Sequence, residues 1–251
     1  VLVRWVLGDW VVRLPKKGEF APDWTIIRSL FRFGLPTGIQ GIAMNVGGVL
    51  MLSFIGSLAA SAAAQAAFAV SYAQLFSLIT WTGLGLMSAT AAVAGQNLGA
   101  GKPERVGGAV HAAAKFGVLV AAGIGLTFNL IPHHLLGVFG MHEPLVLDIG
   151  TQLLRVLSVS GLFITTALTY TGGLQGTGDT KGPMYISIVS QMLLPLGACF
   201  TISQLTTLEP IHIWFAILAG HMTRCGLTVL RFNQGRWRDI RVEFAADRAR
   251  D

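Results

Sequence analysis

SATAAVAGQNLGAGKPER, residues 88–105, closes a run of small apolar residues that begins at Ala59, and its reading decides the rest of the chain. From residue 58 to residue 98 there is no Lys, Arg, Asp or Glu. A soluble helix would carry a charged face, so this stretch lies in lipid or is wrapped by helices that do. At 1.5 Å per residue a helix of about 40 residues reaches about 60 Å, twice a bilayer core. The helix is therefore expected to tilt, to bend around Gly83 and Gly85, or to project into water.

Outward from that run the composition agrees. The 251 residues are 53% hydrophobic and 12% charged, about half the charged fraction of soluble domains. The apolar runs exceed the roughly 20 residues that a spanning helix needs, and no period-2 alternation suggests a barrel. The fold class expected is an all-α integral membrane bundle. A net charge of +6 would raise nucleic acid as a partner of a soluble protein, but here the basic residues gather at predicted helix ends, where they orient the chain against the lipid bilayer. Cys199 and Cys225 both fall inside apolar runs, so neither a disulfide nor a metal site is expected.

In chain order, residues 1–14 are apolar but too short to span, with Trp5 and Trp10 as interface anchors; they read as the end of a preceding helix. The sequence opens on Val1 without a signal-peptide pattern, and a partial chain is expected. A Pro-rich linker leads to Asp23, a candidate N-cap for the amphipathic segment WTIIRSLFRFG. Six spans come next: 35–55 opened by Pro36, 59–98, 103–131, 145–173, 184–204 with a kink at Pro195, and 211–230. The reading divides the chain into residues 1–33, a six-helix lobe at 34–232, and a basic tail at 233–251. Lys102, Arg105, Lys181 and the residues after 230 are basic, whereas the alternate loops at 56–60, 132–146 and 205–211 contain no Lys or Arg. This alternation places both ends in the cytoplasm of a plasma (inner) membrane protein.

Two glycine-rich turns invite a nucleotide reading. In GAGKPE the residue after Lys102 is proline instead of Ser or Thr, and Gln96 stands where the first glycine of a phosphate loop belongs. GTGDTKG follows a membrane helix and not a strand. Both readings are rejected, and Asp179 and Thr180 are expected instead to cap the helix that starts near Pro183.

Three ordered motifs carry a resemblance. GLPTGIQ at 34–40, VAGQNLGAGKPER at 93–105 and LQGTGDTKGPM at 174–184 resemble the C-terminal half of the MATE (multidrug and toxic compound extrusion) transporters. There a GLP opens the seventh helix, a VGQNLGAG element ends the eighth, and an L-x-G-x-G-D-T turn joins the tenth to the eleventh. The similarity covers residues 23–242. It implies an antiporter of two six-helix lobes around a central cavity, driven by H⁺ or Na⁺, with this chain as helices 7 to 12 and an N-terminal six-helix lobe as its partner. Such lobes rock around a midplane site. Relatives with an acid in the seventh helix carry it about eight residues past the GLP proline, where Met44 and Asn45 stand here; Phe163 and Ile164 stand where some have an aspartate in the tenth. The coupling ion is therefore expected to bind mainly in the N-terminal lobe.

Candidate substrate-binding residues are uncharged polar or aromatic groups in mid-span: Gln40, Asn45, Gln65, Tyr72, Ser187 and Gln191. Each could equally join helices. A small organic, cationic substrate would have to meet aromatics or the other lobe. Asp148 reads as a complement to a helix N-terminus, Lys115 and Arg155 as snorkelling, and His111 and His221 as interfacial. Competing readings are a lipid-linked precursor flippase, which favours a more basic cavity, and a non-transporting membrane scaffold. No nucleophile and base pair or metal cluster supports an enzyme.

Overall fold

The computed structural model describes residues 24–240; Asp23, the segment before it and the tail beyond 240 lie outside the described residues. Residues Gly34–Val242 form one compact unit. Among the described residues six helices are long and apolar enough to cross a membrane.

The first, α1 (Trp24–Gly56), corrects one expectation: Pro36 does not open the span but lies inside a continuous helix. A proline within a helix removes one backbone donor, a loss that membrane helices tolerate where neighbours or local adjustments satisfy the freed carbonyl. The second span is not uniform either. It comprises α2 (Ser61–Phe68), a π-helical run at Ala69–Leu75, and α3 (Ser77–Gly99). The ladder thus departs from α geometry at Ala69–Leu75, while Gly83 and Gly85 sit inside regular helix. Gly83 faces α6, where a Cβ would lie 2.8 Å from the movable Leu168 Cδ1.

The third span is α4 (Pro103–Leu130), and a short surface helix, α5 (Pro132–Val138), leads to α6 (Pro144–Gly176). The fifth consists of α7 (Lys181–Ile188), a second π-helical run at Val189–Leu193 directly before Pro195, and α8 (Leu194–Leu205). The last is α9 (Pro210–Asn233), begun by a Glu209/His212 capping box with Pro210 at its first position and succeeded by a 3₁₀ turn at Arg236–Asp239.

α6 is the axis of the bundle, packed by α3, α4 and α9. Its buried faces are rich in Ser, Thr and Gly, and small residues let apolar helices approach until backbones touch. A Cβ on Gly172 would lie 2.1 Å from the Met87 carbonyl oxygen of α3, and Thr90 Oγ1 donates to the Thr169 carbonyl at 2.9 Å across the same contact. On α4, Gly117, Ala121 and Gly125 are all buried, and a Cβ on Gly125 would meet the Ser158 carbonyl at 3.1 Å.

Both glycine-rich turns are helix C-caps of one design. Gly101 (φ 68°) and Gly178 (φ 93°) take the left-handed conformation that glycine adopts without strain. In the first, Lys102 N–H reaches Asn97 O at 2.8 Å and Gly101 N–H reaches Leu98 O at 3.0 Å; in the second, Asp179 N–H reaches Leu174 O at 2.9 Å and Gly178 N–H reaches Gln175 O at 3.0 Å. This paired pattern is the Schellman motif, and it accounts for the glycines without a phosphate.

Candidate functional site

A small groove of about 80 Å³ opens between α1, the first π run, the second π run and α9, lined by Met44, Met51, Phe68, Tyr72, Gln191 and Ile217 among others. Its two polar side chains, Tyr72 and Gln191, both sit on π-helical runs. A π run inserts an extra residue per turn and re-aims the side chains beyond it, and such insertions concentrate at functional sites. Gln191 donates only a long 3.5 Å bond to the Ser190 carbonyl, so its amide retains capacity for a ligand. Tyr72 stacks on Phe68 with centroids 4.8 Å apart. The groove therefore offers an aromatic wall, thioethers and one amide, suited to a flat apolar molecule.

The other sequence candidates separate into two groups. Gln40 and Ser187 meet each other, Gln40 Nε2 donating to Ser187 Oγ at 2.7 Å, and Gln175 Nε2 reaches Gln40 Oε1 at 3.3 Å. That triad ties α1 to α6 and α7. Asn45 and Gln65 are exposed in this unit, Asn45 donating back to the Gly41 carbonyl at 2.9 Å and Gln65 lying beside Gly56. Seven residues separate Gln65 from Tyr72, but the π run between them turns the helix, and only Tyr72 lines the groove.

Sequence reasoning missed the cluster behind Tyr72. A ring ladder runs from Trp214 to Phe68 (5.9 Å), Tyr72, Phe76 (5.4 Å from Tyr72) and His221 (5.8 Å from Phe76). The expectation of an interfacial His221 is corrected: it is 2% exposed, packed in mid-helix against the ring ladder, and α9 runs about 18 Å beyond it to Asn233. Arg224, one turn further, is buried as well. Trp214 Nε1, His221 Nδ1, Arg224 Nε and Thr228 Oγ1 are all buried without a hydrogen-bond partner among the described residues. At about 100° per residue these four positions fall within one sector of roughly 80°. An arginine at the centre of a membrane helix is unfavourable by at least about 2.5–3.5 kcal/mol, so the face is expensive to maintain. The signal available in the sequence was the spacing Trp214, His221, Arg224, Thr228.

The MatE family model matches residues 36–201, the greater part of this bundle. The chain belongs to the MatE family. It is 27% identical over 222 residues to a probable multidrug resistance protein NorM of Thermotoga maritima, covering 88% of this chain and 47% of that relative. It is 22% identical to the multidrug resistance protein MdtK of Yersinia pseudotuberculosis, covering 88% of this chain and 48% of that protein. The chain thus spans about half the length of the relatives it matches. The fold agrees: a solved structure described as the outward-facing conformation of a multidrug resistance MATE family transporter superposes with a TM-score of 0.83 at 19% identity, over 95% of this chain and 53% of that one. In MatE terms, two of the three sequence motifs are the Schellman caps at Gly101 and Gly178, and the third, GLPTGIQ, supplies the buried Pro36 and Gln40 of α1.

Proposed function

We propose that this bundle is the C-terminal lobe of a cation-coupled efflux transporter for small organic compounds, working with an N-terminal six-helix lobe by alternating access. The reading is supported chiefly by one observation: the groove's two polar residues, Tyr72 and Gln191, sit on the two interruptions of otherwise regular spanning helices. The names of the relatives point to multidrug export. Coupling by H⁺ or Na⁺ falls to the other lobe, since the carboxylates of the described residues lie at helix ends or in turns. The charge alternation supports a plasma membrane orientation with both ends cytoplasmic.

The flippase alternative gains a midspan cation in Arg224, but the groove itself is uncharged. The test is ethidium efflux by the full gene product in proteoliposomes under an imposed H⁺ or Na⁺ gradient. Efflux is expected, with Tyr72→Ala lowering it about tenfold by removing a stacking ring. No gradient-dependent efflux, or wild-type rates in the variant, sinks the proposal.

A further inference from the structure

The inner face of α9 carries a positive charge that no carboxylate of the described residues pairs with. Arg224 is 5% exposed, has no ion pair or hydrogen bond among the described residues, and lies about 4 Å from the midpoint of a spanning helix. The carboxylates of the described residues are Glu104, Glu143, Asp148, Asp179, Glu209 and Asp239, all in turns or within the first turn and a half of a helix. Asp179 is already held by Arg231 at 2.8 Å. A guanidinium keeps its proton at any physiological pH. An isolated one at this depth therefore calls for an anion.

The surroundings supply the rest of a receptor. His221 lies one turn before Arg224 on the same face, its ring 5.8 Å from Phe76 and its buried Nδ1 without a partner among the described residues. Phe76 joins this pair to Tyr72, its ring 5.4 Å from the Tyr72 ring. Tyr72 also borders the groove. Tyr72 thus belongs both to the groove wall and, through Phe76, to the ring ladder that ends at His221.

Resting on the transport reading, we propose that Arg224, His221 and Tyr72 form an anion subsite that takes the carboxylate of a transported organic acid or zwitterion. Guanidinium and carboxylate pair through two parallel hydrogen bonds, a geometry that neither lysine nor an amide reproduces. The subsite would distinguish an acid from its ester, while the groove alone would treat them alike.

The experiment uses a free-acid rhodamine and its methyl ester, which share one ring system and differ only at the carboxylate. The full gene product is reconstituted in proteoliposomes, and transport of both dyes is measured for the native protein, Arg224→Gln and Arg224→Lys. Arg224→Gln is expected to lower the ratio of acid to ester transport by about tenfold or more, with Arg224→Lys between the two. An unchanged ratio overturns the subsite, whether the two rates hold or fall together; that is the result if a carboxylate elsewhere in the protein occupies Arg224. Fluorescence anisotropy of the free-acid dye with purified protein provides a second arm. Native protein that transports neither dye, yet binds the acid in an Arg224-dependent way, refutes the transport reading and leaves the subsite standing. Acid binding indifferent to Arg224→Gln overturns the subsite alone.

Discussion

Two aromatic clusters share α9, and they differ in one respect. At the basic end of the bundle, His111, Tyr170, Phe232 and Trp237 pack ring on ring, with Tyr170 to Phe232 at 5.2 Å and Phe232 to Trp237 at 5.2 Å. There the indole and the nearby guanidinium are matched: Trp237 Nε1 donates to the Phe232 carbonyl at 2.9 Å, and Arg231 Nε donates to Asp179 Oδ2 at 2.8 Å. Asp179 Oδ1 also accepts Gly182 N–H at 3.1 Å, capping α7 as the sequence suggested, whereas Thr180, expected to cap with it, makes no side-chain cap bond. Arg238 lies over the Trp237 ring, 5.3 Å from its centroid. In mid-bundle the ladder from Trp214 to His221 is equally close-packed, but Trp214, His221, Arg224 and Thr228 all leave a buried polar atom unmatched among the described residues. Residue types alone do not separate the two. The balance of donors and acceptors does: a matched cluster serves stability, and an unmatched one is maintained at a cost that stability does not explain.

The largest effect expected from this contrast is at the matched end. Asp179→Ala removes the ion pair and the cap together, leaving Arg231 and Gly182 N–H without their acceptor. Asp179 is 5% exposed and Arg231 30%, so the loss is expected at about 2 kcal/mol, discounted for the partly solvated arginine. It is read as a lower melting temperature of purified protein in detergent. Arg224→Met should move the other way. Replacing an unpaired buried charge by an apolar side chain of similar length is expected to stabilise ligand-free protein by about 1 kcal/mol or more. A melting temperature that falls as far for Arg224→Met as for Asp179→Ala would erase the contrast.

The fold was legible because its signals are local. Missing charges over 58–98 announce lipid, Pro103 and Pro210 open helices, and Gly101 and Gly178 end them, each by a conformational rule that needs no tertiary contact. The four-residue spacing of Gly117, Ala121 and Gly125 on α4 is a signal of the same local kind, since such periodicity is a property of one helix. The groove was not legible in that way. Which of Gln65 and Tyr72 looks inward depends on a π run that no residue in AVSYAQL advertises. Gln40 and Ser187, 147 positions apart, meet only because the fold brings one point of α1 against α7. His221 escapes a sequence reading because its burial is set by partners distant in sequence, the neighbouring α6 and the ring ladder.

The smallest effect provides the cleanest comparison. Trp214 and Trp237 are both fully buried, at 0% and 1% exposure, and both stack on a phenylalanine, 5.9 Å and 5.2 Å away. Replacing each by phenylalanine removes the same atoms and leaves a cavity of similar size, so transfer and cavity contributions largely cancel between the variants. The remaining difference is the indole N–H, bonded at 237 and unmatched at 214. Trp237→Phe is therefore expected to be more destabilising than Trp214→Phe by about 1 kcal/mol, the net value of one hydrogen bond. The two melting temperatures are compared in the same detergent with no added dye. Equal losses would mean that Trp214 Nε1 has found a partner, and the mid-bundle face would then be ordinary core. A saturating free-acid rhodamine sharpens the result: by mass action a ligand of the native fold raises the melting temperature, and the rise should persist in Trp237→Phe, remote from the subsite, while Arg224→Gln abolishes it.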